Sequence, residues 1–182
     1  MFIGHRIRTA SGLILGFCLW GLSSAWAQTP TQQLFALKEL YPGLKTIGVL
    51  TSQTPSEETT KALNRASAAT GVKVVVTVVN SVAELAPKFR ELVSSYQVQA
   101  IWILEKDNVL TSPLAKDFLY KNTVTRNLAL LAPDKTMVGE GALLHVSNEG
   151  GNLRLYLNQR VAQALNVKVP DQYQAHATFV AN

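Results

Sequence analysis

Short apolar runs alternate along this chain with longer segments whose apolar positions recur every three or four residues. The runs at 46–52 (TIGVLTS), 72–79 (VKVVVTVV), 100–104 (AIWIL), 128–132 (LALLA) and 142–146 (ALLHV) are too short for helices. Their length and many β-branched residues predict strands. Lys73 and Thr77 interrupt the second run, which places it nearer a sheet edge than the first. Full burial is expected for Trp102 in the third.

The intervening segments predict helices. Leu34, Leu37, Leu40 and Tyr41 share one face of a helix over 31–41, stopped by Pro42-Gly43. Ser56 with Glu57 and Glu58 is an N-cap followed by an acidic first turn, opening a helix through Ala62, Ala66 and Ala69 to Gly71. Ser81 and Glu84 have capping-box spacing ahead of Val82, Leu85, Phe89, Leu92, Val93 and Tyr96, with Pro87 expected to bend the helix. Ser112-Pro113 opens a fourth helix bearing Leu114, Phe118 and Leu119. A turn is predicted through Pro133-Asp134-Lys135. Gly150-Gly151-Asn152 is expected to start the last helix, along which Leu153, Leu157, Val161 and Leu165 line up. Residues 175–180 are a candidate added strand.

Strands joined through helices of this length must pair in parallel, since each crossover returns the chain to the same end of the sheet. The expected fold is α/β: a three-layer sandwich with a parallel five-stranded sheet, order 2-1-3-4-5, and an extra strand from the C-terminus. In such a sheet, ligands bind beyond the carboxyl ends of the strands.

The N-terminus adds an address. Arg6 and Arg8 precede an uninterrupted apolar run at 13–22 (LILGFCLWGL), and Ala25 and Ala27 give the small-x-small pattern read by signal peptidase. Cleavage before Gln28 is expected, which makes residues 1–27 a signal peptide and places the remainder, 28–182, in a bacterial periplasm as a single lobe. The apolar run is about half the roughly 20 residues of a bilayer span. Phe17 before Cys18 argues against lipidation, and the chain after residue 27 holds no cysteine to form disulfides. Removing Arg6 and Arg8 lowers the formal charge from +5 to +3. Basic residues are spread from Lys38 to Lys168 without interleaved aromatics, so nucleic acid is not an expected partner.

Residues 37–50 (LKELYPGLKTIGVL) resemble the segment that opens the second lobe of the ABC-transporter substrate-binding proteins with the type I periplasmic-binding-protein fold. Agreement continues in order through Ala69-Thr70-Gly71-Val72, Val98-Gln99-Ala100-Ile101-Trp102, Asp107-Asn108 and Glu140-Gly141-Ala142-Leu143-Leu144. The resemblance spans about 34–180 and implies a periplasmic protein that binds a small solute and works with an ABC permease. It covers the second lobe only. The family's Asn-Ser step after the first strand is replaced by Ser52-Gln53-Thr54-Pro55, and the acidic or aromatic residues after strand five by Ser147-Asn148-Glu149, so ligand identity does not carry over.

Candidate ligand-binding residues follow from the strand-end rule. Thr51, Ser52 and Thr54 could hold an anionic group beside the N-terminus of the helix opened by Ser56, or merely cap their loop. Glu105, Asp107 and Asn108 end the third strand, and the resemblance places an Asp at position 107, where it would accept from a ligand amine; solvated loop acids are the alternative. Ser147 and Asn148 precede Gly150-Gly151 as a further anion site, against a permissive turn. His145 is expected as a buried, hydrogen-bonded side chain, and His176 is isolated. No spacing suggests zinc, no cofactor is expected, and G-x-S-x-G, P-loop and G-x-G-x-x-G motifs are missing, which disfavours an enzyme. The alternative to solute binding is a non-transport interaction or sensory module that docks on a membrane receptor or self-associates as a homodimer.

Overall fold

The computed structural model describes residues 29–181, so the expected signal peptide and its cleavage point lie outside the described residues. The element order is α1 (Pro30–Leu40), β1 (Thr46–Thr51), α2 (Glu57–Thr70), β2 (Lys73–Val78), α3 (Val82–Ser94), β3 (Ala100–Ile103), α4 (Pro113–Thr125), β4 (Ala129–Leu131), α5 (Lys135–Glu140), β5 (Leu144–Glu149), β6 (Asn152–Asn158), α6 (Gln159–Ala164), α7 (Asp171–Gln174) and β7 (Ala177–Val180). One sheet holds all seven strands in the order β2-β1-β3-β4-β5-β6-β7. The expected 2-1-3-4-5 order is present with every pair parallel, and β2 is the edge.

Alternation along the central strands divides the core between two helical layers. Ile47, Val49, Ala100, Trp102, Ala129 and Leu131 pack with Leu34 and Leu37 of α1 and Leu63 of α2. Their sequence neighbours Leu50, Ile101, Ile103 and Leu130 pack with Leu85, Phe89 and Leu92 of α3 and Leu119 of α4. Trp102 is 1 % exposed, the core residue that its run predicts. Each such side chain contributes about 1.5–3 kcal/mol by leaving water. Gly48 allows the close packing of α3 on β1: a Cβ there would sit 2.9 Å from Leu92 Cδ1.

The predicted caps hold with one exception. Ser56 and Ser112 accept from the N–H groups of Thr59 and Ala115, and Gly71 closes α2 at φ +69°. At α3 the Ser81 side chain makes no cap hydrogen bond; instead Glu84 Oε2 accepts from the Asn80 N–H (3.1 Å) and Nδ2 (3.2 Å). Glu84 thereby braces the loop before α3. Pro87 is accommodated inside this uninterrupted helix.

Three departures concern the end of the chain. The turn through Pro133-Asp134-Lys135 continues into α5, because Asp134 Oδ1 accepts from the Met137 N–H at 3.0 Å and acts as an N-cap. The helix expected from Gly150-Gly151-Asn152 is instead β6, antiparallel to β5 and paired from Glu149↔Asn152 to Leu144↔Leu157. Gly150 and Gly151, at φ +60° and +85°, form a two-residue hairpin loop whose conformation non-glycine residues rarely adopt. Helix α6 starts only after β6, where Asn158 Oδ1 accepts from the Val161 N–H at 3.0 Å. The short helix α7 then leads into β7, which pairs in parallel with β6 and supplies the expected C-terminal strand.

Candidate functional site

The site is built where β1 and β3 end. Thr51, the last residue of β1, is 6 % exposed, and its hydroxyl donates to the Gln53 carbonyl at 2.8 Å. That bond turns the chain sharply, so that residues 52–55 form a short loop into the N-cap of α2. There Ser56 Oγ accepts from the Thr59 N–H at 3.1 Å and lies 3.0 Å from Thr59 Oγ1. Beside this loop β3 runs on into Leu104, whose N–H donates to the Leu50 carbonyl at 3.1 Å, and Glu105 follows, exposed.

Two adjoining cavities open here. A cavity of about 260 Å³ is lined by Thr51, Gln53, Thr54, Ser56, Thr59 and Glu105, with Pro55 and Leu104 as apolar wall. It shares Thr59, Leu104 and Glu105 with a second, of about 420 Å³, which reaches to Pro30 and Gln33 at the start of α1 and to Glu58, Ala62 and Trp102. The result is a groove along one side of the β1 and β3 ends, between the first turns of α1 and α2.

Its electrostatics are one-sided. No Lys or Arg lines either cavity. Neither Glu58 nor Glu105 has a hydrogen bond or ion pair among the described residues, whereas Glu57 is paired with Lys61 at 2.5 Å. Lys106 turns away from its neighbour Glu105 and lies 3.2 Å from Asp134. Burial alone would raise the Asp134 carboxyl, but the Met137 N–H, the hydrogen bond and charge of Lys106, and the Thr136 N–H together hold it below its usual range. Two unpaired carboxylates therefore face the groove, while the first turn of α2 contributes partial positive charge from its N–H groups.

Of the residues singled out in the sequence, Thr51, Thr54 and Glu105 line one cavity. Ser52, Asp107, Asn108, Ser147 and Asn148 are not among the lining residues. Asp107 Oδ1 accepts from the N–H groups of Val109 and Leu110, both at 2.7 Å, and so shapes its own loop. Asn108 is exposed. Ser147 and Asn148 belong to β5 rather than to a loop before a helix. Ser147 Oγ donates to Glu149 Oε1 at 3.2 Å, where the Tyr156 hydroxyl also donates at 2.6 Å. The Tyr156 hydrogen bond is the main reason that the Glu149 carboxyl is held below its usual range and the Tyr156 phenol above. Asn148 Oδ1 is buried without a hydrogen-bond partner. His145 is half-buried, its Nδ1 3.0 Å from the Ala132 carbonyl oxygen.

Sequence reasoning missed Gln33, Glu58, Thr59 and Ala62 as lining residues. Glu58 and Thr59 carried a signal, the first turn of a helix that starts at a strand end. Gln33 and Pro30 carried none, because only the packing of α1 on α2 brings them to the groove.

A family model described as "ABC transporter substrate binding protein" matches residues 19–150, most of the chain. The chain belongs to this family. Three solved structures resemble it in fold. One is the ABC domain from Streptococcus pneumoniae in complex with L-Trp, with a TM-score of 0.65, 20% identity, and coverage of 82% of this chain and 61% of that one. A conserved domain protein from Vibrio cholerae gives 0.66 and 18%, covering 85% and 60%. The third is a substrate-binding protein with adhesive properties from Clostridium difficile, in its ligand-free, open form, at 0.65 and 20%, covering 85% and 60%. The chain thus spans about three fifths of the length of each structure, and at these identities the likeness is one of fold. A search of curated proteins gave no significant match. No helix among the described residues is long and apolar enough to cross a membrane.

Proposed function

We propose that this chain is exported through a cleaved N-terminal signal peptide to the periplasm, where it acts as a single lobe that binds a small solute for an ABC permease. The observation that carries the reading is the groove at the carboxyl ends of β1 and β3 in a member of a substrate-binding family. The larger of its two cavities, about 420 Å³, is of the size that small ligands occupy, roughly 300–1,000 Å³. The groove's chemistry favours a solute carrying both an ammonium and a carboxylate. Glu105 and Glu58 would receive the ammonium, the N-terminal turn of α2 with the hydroxyl of Thr54 the carboxylate, and Leu104, Ala62 and Trp102 an apolar remainder. Binding requires no bond to be made or broken, and no catalytic role is assigned to any residue.

Thermal unfolding in the presence of amino acids, small organic anions and sugars tests the reading. L-Trp belongs in the panel because the Streptococcus pneumoniae domain was captured with it. A ligand present at about a hundred times its Kd stabilises the folded state by about 2.7 kcal/mol, which shows as a shift that grows with concentration. Glu105→Gln should remove most of the shift for an amino acid while leaving the unfolding of the free protein unchanged, since Glu105 is exposed and unpaired. Unchanged unfolding with every compound would overturn solute binding at this groove.

A further inference from the structure

Strand β2 is the free edge of the sheet at the end opposite β7. The N–H groups of Lys73 and Val79 donate inward to the carbonyls of Lys45 and Thr51, each at 2.8 Å. Along a strand these directions alternate, so the N–H and C=O groups of Val74, Val76 and Val78 point outward, and among the described residues no strand receives them. Edge strands of soluble proteins are usually protected by proline, bulges or charged side chains, lysine especially; β2 carries one such residue, Lys73, at its first position. Over six residues β2 has no proline and keeps unbroken one-to-one register with β1. Beside it runs a groove of about 450 Å³, walled by residues 75–78 of the strand and by Glu84, Lys88 and Tyr96. Among the described residues five large apolar side chains are exposed, and two of them, Val76 at 40 % and Tyr96 at 42 %, flank this edge.

We infer that β2 pairs with β2 of a second copy of this chain, antiparallel and about a two-fold axis through Val76. Charge and register together select this occupant. With Val76 on the axis, Val74 faces the partner's Val78, so every outward N–H and C=O of one strand meets its complement on the other. The same register sets Lys73 opposite the partner's Val79. Odd-numbered residues of β2 lie on the α3 side, as the packing of Val75 with the α3 layer shows. Lys73 therefore arrives beside the partner's Asn80 and the partner's Glu84. Among the described residues Lys73 has no carboxylate partner, its ammonium lying 6.0 Å from the Tyr96 ring centroid, and Glu84 meets only the uncharged donors of Asn80. The symmetry forms this pair twice. Such an interface is isologous and closed, and it joins two seven-stranded sheets into one.

Sedimentation of the exported chain across a concentration series, with variants chosen to spare the monomer, is the test. Wild type is expected to sediment as a dimer that dissociates on dilution. Val76→Pro removes an N–H that the monomer leaves unbonded, a position at which an edge strand tolerates proline. This variant should be monomeric with an unchanged thermal midpoint. Lys73→Glu sets like charges against each other at both ends and should weaken association about tenfold, and adding Glu84→Lys should restore it. A wild type that is monomeric at every concentration overturns the inference, as does a dimer indifferent to Val76→Pro. Failure of the double charge exchange to restore association overturns the register.

Discussion

Strands β1 to β5 run parallel and are joined through helices, whereas β6 turns back on β5 through two glycines and β7 is added beyond it. The first group falls within the residues matched by the family model, which ends at Gly150, in the hairpin loop itself. The second lies past that boundary. Yet the two share one interior: Leu155 and Leu157 of β6 are fully buried and pack in the same cluster as Leu34, Trp102 and Leu131. A segment outside the family pattern can thus be as integral to the core as one inside it, because burial depends on the face that a strand presents and not on how the chain arrived there.

That shared core makes a strong prediction. Leu157→Ala in the extension should cost about 2–5 kcal/mol, the same range as a comparable truncation at Leu131 in the parallel part, and both variants should unfold in one transition by denaturant titration. Two separate transitions would divide the extension from the rest. A smaller effect is expected at the hairpin. Replacing Gly150 and Gly151 together by alanine places side chains at φ +60° and +85°, at a cost of about 1–2 kcal/mol per residue. The loss should appear in the denaturation midpoint, and an unchanged midpoint would mean that the loop does not hold the β5–β6 register. The smallest effect concerns Glu149, which the Tyr156 hydroxyl holds below its ordinary value of 4.5. A carboxylate with a depressed folded value adds stability above its unfolded value and loses it as pH falls through the folded one. Amide protection in the hairpin should therefore decline on acidification, and Tyr156→Phe should move the Glu149 titration, followed by NMR, upward toward 4.5. A titration that does not move would remove the Tyr156 hydroxyl as its cause.

Legibility in the sequence follows the same division. Runs such as residues 46–52 and 100–104 could be read because a strand buried on both faces must be apolar throughout, and Ser56, Gly71 and Ser112 could be read because helix ends need specific side chains or glycine. At residues 153–165 two periods compete. Leu153, Leu157, Val161 and Leu165 satisfy a helical stripe, while Leu153, Leu155 and Leu157 satisfy a strand. The Gly150-Gly151 pair between two such runs is a hairpin signal, and the structure resolves the competition in its favour as far as Asn158. At the groove, Thr51, Thr54 and Glu105 were legible as strand-end residues. Gln33, on a helix distant in sequence, was not.

By itself the sequence determined the α/β class, the parallel pairing of β1 to β5, the place of β2 nearer an edge than β1 and the burial of Trp102. These follow from local periodicity and from the rule that crossover helices force parallel pairing. Only the tertiary structure decided that β6 is a strand, that Asp107 turns its carboxylate into its own loop, and that α1 closes one wall of the groove. Each of those outcomes rests on contacts between segments far apart in the chain, and local pattern holds no record of such contacts.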